Sequence, residues 1–501
     1  MSLIRNAAFN FMGAAVPALL AIGTIPYVVS TLGAADYGLL ALITSIVGYF
    51  ALLDINITAS STKYVSEFNA SGDKVRLNET ICFGLLIYGG IGLIGLLGLF
   101  FAADFLASGV FSVPPERHTE ATTALRVASL GFLFGQIQAY IQSLPGALMR
   151  FDISGRIEAV FGTIVPLATI ALLYAGYGLI SLVCLRVGMS LLQGALTWLV
   201  LRKLLPTLSW ATPTKDIRAM MLSFSAYSFL NRLAALTYAN ADKLVIGARV
   251  GVTALTYFVV PATLANRVMS LVFRLSSVMF PHASALAAQG RIAELENDYL
   301  FASRYLFFIN GAIALVMATM ATPILTLWLS PDFAKAGATV MVMIALAQWV
   351  DSTTNLPSLV NDGLGHPKVS GLFALARAGI GIALILVGVS AFGIEGAAGA
   401  HLAASALMST AFVIFVHGKT VPIKLRALLR EGYQPTLAVL IPVGIAGIFV
   451  APWASNGWLQ LLLSMALLGL LLLAGGWWLV CLPAHRNTIL ERLSAITERN
   501  L

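Results

Sequence analysis

Residues 38–68 read GLLALITSIVGYFALLDINITASSTKYVSEF. From Gly38 to Leu53 no residue is charged, and the run then meets Asp54 and Asn56 before the basic Lys63. With Tyr37 at its head, the stretch supplies the roughly 20 apolar residues that a helix needs to cross the hydrocarbon core. A membrane span ending on an acid is the reading that decides the fold, because comparable apolar runs recur along the whole chain.

Composition extends that reading. The chain has 501 residues, 59% of them hydrophobic and 10% charged, with a mean hydropathy of +0.89; soluble domains carry roughly a quarter charged residues. Cys82, Cys184 and Cys481 are scattered singly and the six histidines share no ligand spacing. Neither a disulfide framework, a metal site nor a bound cofactor is expected. The net charge of +8 is distributed in a way that sets topology, so nucleic acid is not an expected partner.

Apolar stretches of spanning length fall near 6–31, 37–60, 79–103, 121–147, 157–176, 178–201, 219–241, 252–282, 305–329, 338–361, 370–390, 396–417, 434–453 and 458–482. The expected fold is an all-α polytopic membrane protein of about fourteen transmembrane helices. The first stretch follows Arg5 and exceeds a signal-peptide core, so it is expected to be retained. Alternate loops hold most of the Lys and Arg, including Lys74 and Arg76, Arg150 and Arg156, Arg202 and Lys203, and Lys424, Arg426 and Arg430. The other loops hold only Arg117, Lys243, Arg249 and Lys335, a bias of roughly five to one that puts both termini in the cytoplasm.

The chain also contains a faint copy of itself. Gln136 and Gln348, Pro145 and Pro357, and Arg156 and Lys368 are each 212 residues apart. Each block is a polar-studded span, a Leu-Pro and a short basic loop. Six spans separate the copies, so both halves enter the membrane in the same direction, as parallel repeats do in alternating-access transporters. The expected division is a lobe at 1–205, a second lobe at 206–420, and two additional spans with a tail at 421–501.

Charges inside spans cost about 2.5 to 3.5 kcal/mol each on insertion scales and face protein-lined cavities. The deepest are Arg186, Arg232, Arg267 and Arg274, with Asp54 and Asp351 on the acidic side. Arg126, Arg377 and Glu158 lie nearer span ends, where snorkelling or helix bracing is the simpler account. Arg267 and Arg274 are seven residues apart, on one helix face, between Pro261 and Pro281. Two guanidiniums stacked in a low-dielectric cavity suit the oxygens of a phosphate-type anion. Asp54 lies 17 residues after Tyr37 and Arg274 17 after Tyr257, which makes them equivalent positions of the two copies. Asp54 and Asp351 are the candidates for ion coupling, by proton or sodium; a helix-bracing role for Asp54 stands beside that. Gln136, Gln138, Tyr140 and Gln142 in one copy, and Gln348 to Asn355 in the other, read as a hydrophilic lumen, which Asn6 and Asn10 of the first span can join.

The stretch 32–73, LGAADYGLLALITSIVGYFALLDINITASSTKYVSEFNASGD, resembles the opening of the Wzx-type polysaccharide flippases of the multidrug/oligosaccharidyl-lipid/polysaccharide exporter superfamily. The stretch 240–290, NADKLVIGARVGVTALTYFVVPATLANRVMSLVFRLSSVMFPHASALAAQG, resembles the same family's seventh and eighth spans. The resemblance implies two six-helix lobes in a V shape plus two further C-terminal helices. It also implies a cationic lumen that carries a polyprenyl (undecaprenyl)-pyrophosphate-linked oligosaccharide across the bacterial inner membrane for surface polysaccharide synthesis. Arg267 and Arg274 match the place on the eighth span where such flippases offer arginine to the pyrophosphate, and Arg232, Arg186, Gln136, Gln142, Gln348 and Asn10 are the further candidates for binding the pyrophosphate or the sugars. A polysaccharide polymerase and a chain-length regulator are the partners it implies. Two departures stand out: Asn56 occupies a position where the family often has glycine, and no arginine lies deep in the first or second span, which argues against a peptidoglycan precursor.

A cation-coupled multidrug exporter on the same fold would want acids in its cavity, whereas the deep charges here are mainly basic. A membrane-embedded polymerase or glycosyltransferase would want a large extramembrane loop or an Asp-x-Asp motif, and the sequence has neither. A transporter, not an enzyme, is expected.

Overall fold

The structure, a computed structural model, describes residues 2–50, 57–111, 113–148, 150–276, 289–487 and 491. Within its helices the side chains of 2–19, 21–22, 49–50, 59, 151, 223–239 and 267–276 stand outside the description. The described residues are helical and contain no strand. In chain order they form α1 (Ser2–Phe50), α2 (Ile57–Ser71), α3 (Lys74–Phe105), α4 (His118–Ala147), α5 (Phe151–Tyr174), α6 (Leu179–Leu204), α7 (Lys215–Arg249) and α8 (Val252–Ser276). There follow α9 (Ile292–Thr319), α10 (Ala321–Trp328), α11 (Pro331–Ser352), α12 (Asn355–Gly363), α13 (Pro367–Lys419), α14 (Gln434–Ala454) and α15 (Trp458–Gly475). Helices satisfy their own backbone groups, which is what hydrocarbon demands of a spanning segment.

Among the described residues nine helices are long and apolar enough to cross a membrane. One of them, Pro367–Lys419, holds the expected spans 370–390 and 396–417, folded against each other at Gly393. Gly393 has φ 58°, a left-handed backbone value that favours glycine. The arms then approach so closely that a Cβ on Gly396 would stand 1.9 Å from the carbonyl oxygen of Gly388. Gly33 breaks α1 in the same way at φ 79°. Helices α4, α7 and α8 occupy three further expected positions, near 121–147, 219–241 and 252–282.

Two compact units divide at Val259/Val260, within α8. In the first unit, α3 presents Gly84, Gly92 and Gly95 to Tyr140, Leu133 and Phe132 of α4, so large rings fill the notches left by small residues. Tyr140 is fully buried, its ring stacked 5.0 Å from that of Tyr88, and its hydroxyl donates to Ile81 O at 3.2 Å while accepting from Ser61 Oγ at 3.2 Å. One apolar core gathers Ile57, Val65, Leu77, Ile81 and Leu144 with Ile217 and Met221 from α7. The segment 205–214 is fastened to α3: Asn78 Nδ2 donates to Thr207 O at 3.0 Å, and Glu79 accepts from the Thr214 amide at 3.2 Å and its hydroxyl at 2.7 Å. A buried carboxylate at the start of α7 satisfies an amide that the helix itself cannot. These contacts, with Asn240 against Gly48, place α7 in the first unit.

In the second unit, helix α9 starts at Ile292, well before the expected 305, because Glu294, Glu296, Asp298 and Arg304 in its first turns hide it from a hydropathy reading. It stops at Thr319, and α10 continues the expected 305–329 stretch after Met320. The expected span 338–361 is likewise two helices, α11 and α12. Pro357 has no N–H to give Thr353 O, the backbone tightens so that the Thr353 and Thr354 amides reach Val350 O and Asp351 O, and hydroxyls add to these turns: Ser352 bonds Trp349 O at 2.6 Å, Thr353 bonds Val350 O at 2.6 Å and Thr354 bonds Asp351 O at 2.8 Å. Val439, Leu440 and Val443 of α14 and Leu468 of α15 gather in one core with Met320, which follows α9, and with Phe308, Leu315 and Val316 of α9. Tyr305 of α9 holds the segment beyond α15, bonding His485 Nδ1 at 2.8 Å and the Leu482 amide at 3.1 Å. Leu459, Leu462, Leu463, Leu470 and Leu473 of α15 remain exposed, an apolar surface of the kind a spanning helix turns to lipid.

Candidate functional site

In the first unit, Arg186 sits seven residues into α6, about 10 Å along the helix axis. Leu182 and Val183 beside it are buried, whereas Arg186 keeps accessible surface. Its Nη1 donates to Thr44 Oγ1 on the second arm of α1 at 2.8 Å. Thr44 in turn donates to Leu40 O at 2.7 Å, so its hydroxyl proton is spent and its oxygen faces the guanidinium. Tyr37, seven residues earlier and on the same helix face, lies within electrostatic range of Arg186. Among the described residues no carboxylate pairs with Arg186 and no second side chain accepts from it. A guanidinium has five N–H donors, so a cation inside a span keeps most of its donors open to an incoming anion.

The glutamines of the first copy divide by burial. Gln136 is buried in α4. Gln142 Oε1 accepts from Gln193 Nε2 at 3.1 Å and from Thr197 Oγ1 at 3.3 Å, tying α4 to α6. With Thr197 fully buried, this triplet is interhelical hydrogen bonding.

In the second unit, Asp351 near the end of α11 forms an ion pair with Arg377 Nη2 of the first arm of α13. The same nitrogen donates to Ser405 Oγ at 3.2 Å, and Ser409 Oγ donates to Asp351 Oδ1 at 3.0 Å. Four side chains from α11 and both arms of α13 thus meet, with the pair only partly covered: the arginine keeps 25% of its side-chain surface and the aspartate 17%. One turn earlier, Gln348 Nε2 donates to Asn266 Oδ1 of α8 at 2.7 Å.

Asp54 lies outside the described residues. Arg267 and Arg274 fall on α8, Arg232 on α7 and Asn10 on α1, with side chains outside the description. Sequence reasoning did not find Thr44, Asn266, Ser405 or Ser409, and it placed Arg377 with the snorkelling or bracing residues. For Thr44 a signal existed, since its spacing from Tyr37 puts both on one helix face. Among the described residues no group of His, Cys, Asp and Glu is arranged to hold a metal ion.

A family model described as "Polysaccharide biosynthesis protein" matches residues 31–337, more than half of the chain. The chain belongs to that family. The chain is 22% identical over 337 residues to the uncharacterized membrane protein EpsK of Bacillus subtilis (strain 168), covering 66% of each chain. It is 23% identical over 323 residues to the probable flippase AglR of Haloferax volcanii, covering 64% of this chain and 63% of that one. It therefore spans a little under two thirds of the length of the curated relatives it matches. The structure of the lipid II flippase MurJ in an inward closed conformation is similar with a TM-score of 0.71 at 14% identity, over 94% of this chain and 98% of the other. At that identity the likeness shows the fold: an all-helical polytopic membrane protein.

Proposed function

We propose that this member of the family is a flippase that moves a polyprenyl-pyrophosphate-linked oligosaccharide from the cytoplasmic to the outer leaflet of the bacterial inner membrane by alternating access. The observation that carries the reading is Arg186, a cation held within a span by one hydroxyl and, among the described residues, offered no carboxylate. An anion brought to it repays part of the cost of placing that charge in the membrane. Arg267, Arg274 and Arg232 join it in the proposal as further contacts to the pyrophosphate. Family membership and the naming of AglR as a probable flippase support the same cargo class. The energetics support the direction: a pyrophosphate of about two negative charges leaving a negative cytoplasm gains roughly 4 to 5 kcal/mol per 100 mV. Both termini lie in the cytoplasm in this proposal. Asp54 is the site of proton or sodium coupling, and a polymerase with its chain-length regulator receives the cargo.

The test is translocation in proteoliposomes containing an undecaprenyl-pyrophosphate-linked oligosaccharide, read as accessibility in the opposite leaflet. Removing charge-assisted hydrogen bonds worth about 1.5 to 3 kcal/mol should slow Arg186→Ala by roughly 10- to 100-fold, with Arg186→Lys in between. Undiminished transport in Arg186→Ala and in Arg267→Ala/Arg274→Ala would remove the cationic-lumen reading. Efflux of organic cations from the same vesicles, without lipid transport, would establish the multidrug alternative.

A further inference from the structure

The geometry points to a second anion site, in which Arg377 receives a phosphate oxygen of the cargo by exchanging it for the carboxylate of Asp351. The inference rests on the anionic cargo proposed above and adds residues to its path. Breaking an ion pair inside a protein is costly when one partner is left bare, because an uncompensated charge remains in a poor dielectric. Exchange of one anion for another at the same guanidinium avoids that penalty. Asp351 then acts as a placeholder that holds Arg377 in position between cargoes and recaptures it on release.

Two observations support exchange over a fixed brace. The pair is only partly covered, with 25% of the arginine and 17% of the aspartate side-chain surface accessible, so a ligand has an approach. The second partners are serine hydroxyls: Ser409 on Asp351 Oδ1 and Ser405 on Arg377 Nη2. Ser409 satisfies the carboxylate that moves away, and Ser405 keeps the guanidinium oriented while its anion changes. Gln348 adds a neighbour, since it fastens Asn266 of α8, next in sequence to Arg267, one turn from Asp351.

The test measures equilibrium binding of farnesyl diphosphate to the full chain in lipid nanodiscs, with inorganic pyrophosphate and farnesol as separate arms. Exchange predicts that Asp351→Asn, which removes the competing charge at constant size, tightens farnesyl diphosphate about tenfold and slows translocation of the lipid-linked sugar. Arg377→Gln should weaken binding about tenfold, alone or combined with Asp351→Asn. The charge-swapped pair Asp351→Arg/Arg377→Asp keeps the ion pair between α11 and α13 and should still bind weakly. A brace predicts thermal destabilisation in the single variants, rescue in the swap and an unchanged dissociation constant throughout; that result overturns the inference. If Arg186→Ala loses binding while the Asp351 and Arg377 variants match wild type, exchange fails and the flippase reading stands. If wild type binds no diphosphate, both fail. Inorganic pyrophosphate competing as well as farnesyl diphosphate would assign the site to the phosphate oxygens alone; farnesol competing equally would overturn it.

Discussion

Gly38→Ala tests whether the close approach of the second arm of α1 to the first turns of α8, within the first unit, holds these helices together. Gly38, on the second arm of α1, packs directly on the first turns of α8. A Cβ there would stand 1.7 Å from Val252 O, 2.6 Å from Val252 C and 2.7 Å from Thr256 Oγ1. The nearest obstruction is backbone, so no rotamer change relieves it, and α1 must move away from α8 by more than an ångström. That shift also strains the hydrogen bond from Thr256 Oγ1 to Ala34 O, now 2.5 Å. Overpacking costs about 1 to 3 kcal/mol, and a backbone clash belongs at the upper end. At about 1.4 kcal/mol per decade, the closed seam should lose roughly 100-fold in population relative to the parted one. Gly247 provides the internal comparison. Gly247 lies on α7, and its added Cβ would meet first Leu42 Cδ1, at 2.7 Å, the far end of a flexible side chain, so Gly247→Ala should cost a fraction as much.

The reporter is the thiol of Thr256→Cys, at a position with no accessible surface, in a chain whose Cys82, Cys184 and Cys481 are replaced by serine. Its alkylation rate follows the population in which α1 and α8 have parted. Gly38→Ala should accelerate it by about two orders of magnitude, Gly247→Ala severalfold at most. Equal rates in all three chains would mean that the seam is not opening, or that the helices absorb the methyl group without parting, and the argument from Gly38 would be refuted.

Two further predictions concern how the first unit is held. Tyr140→Phe removes a buried hydroxyl that serves Ser61 and Ile81 O, and should lower stability by about 0.5 to 1.5 kcal/mol, whereas Gly84→Ala, which drives a Cβ to 2.0 Å from the Tyr140 ring, should cost more; thermal unfolding in detergent orders the two. Glu79→Ala strips the Thr214 amide and hydroxyl of their acceptor, costs about 1 to 3 kcal/mol, and should raise hydrogen exchange at residues 214–218 while leaving α4 unchanged.

How much of this was legible in the sequence depends on which property a residue reports. Hydropathy reports whether a segment can lie in lipid, so most spans and the breaks near Gly33 and Gly393 could be read from it. It fails where a helix continues into charged turns, as α9 does through Glu294, Glu296 and Asp298. It fails again at the break between α11 and α12, because hydropathy does not report that the Ser352, Thr353 and Thr354 hydroxyls bond the carbonyls of Trp349, Val350 and Asp351. Pairing is the harder loss. Asp351 and Arg377 are 26 residues apart and both stood out as charges in apolar surroundings, yet nothing in either run fixes how α11 and the first arm of α13 rotate about their own axes. That rotation is set by the small residues through which helices approach and by the bulk that fills the gaps, a property of pairs of segments. The same limit explains Arg186: its depth was readable, but that no carboxylate among the described residues pairs with it depends on how the neighbouring helices pack, and only the folded chain shows it. A charge that is costly to place in the membrane, with no counter-ion among the described residues, is the ground of the proposal that an anion comes and goes there, and that step from solvation to cargo begins where the sequence reading stops.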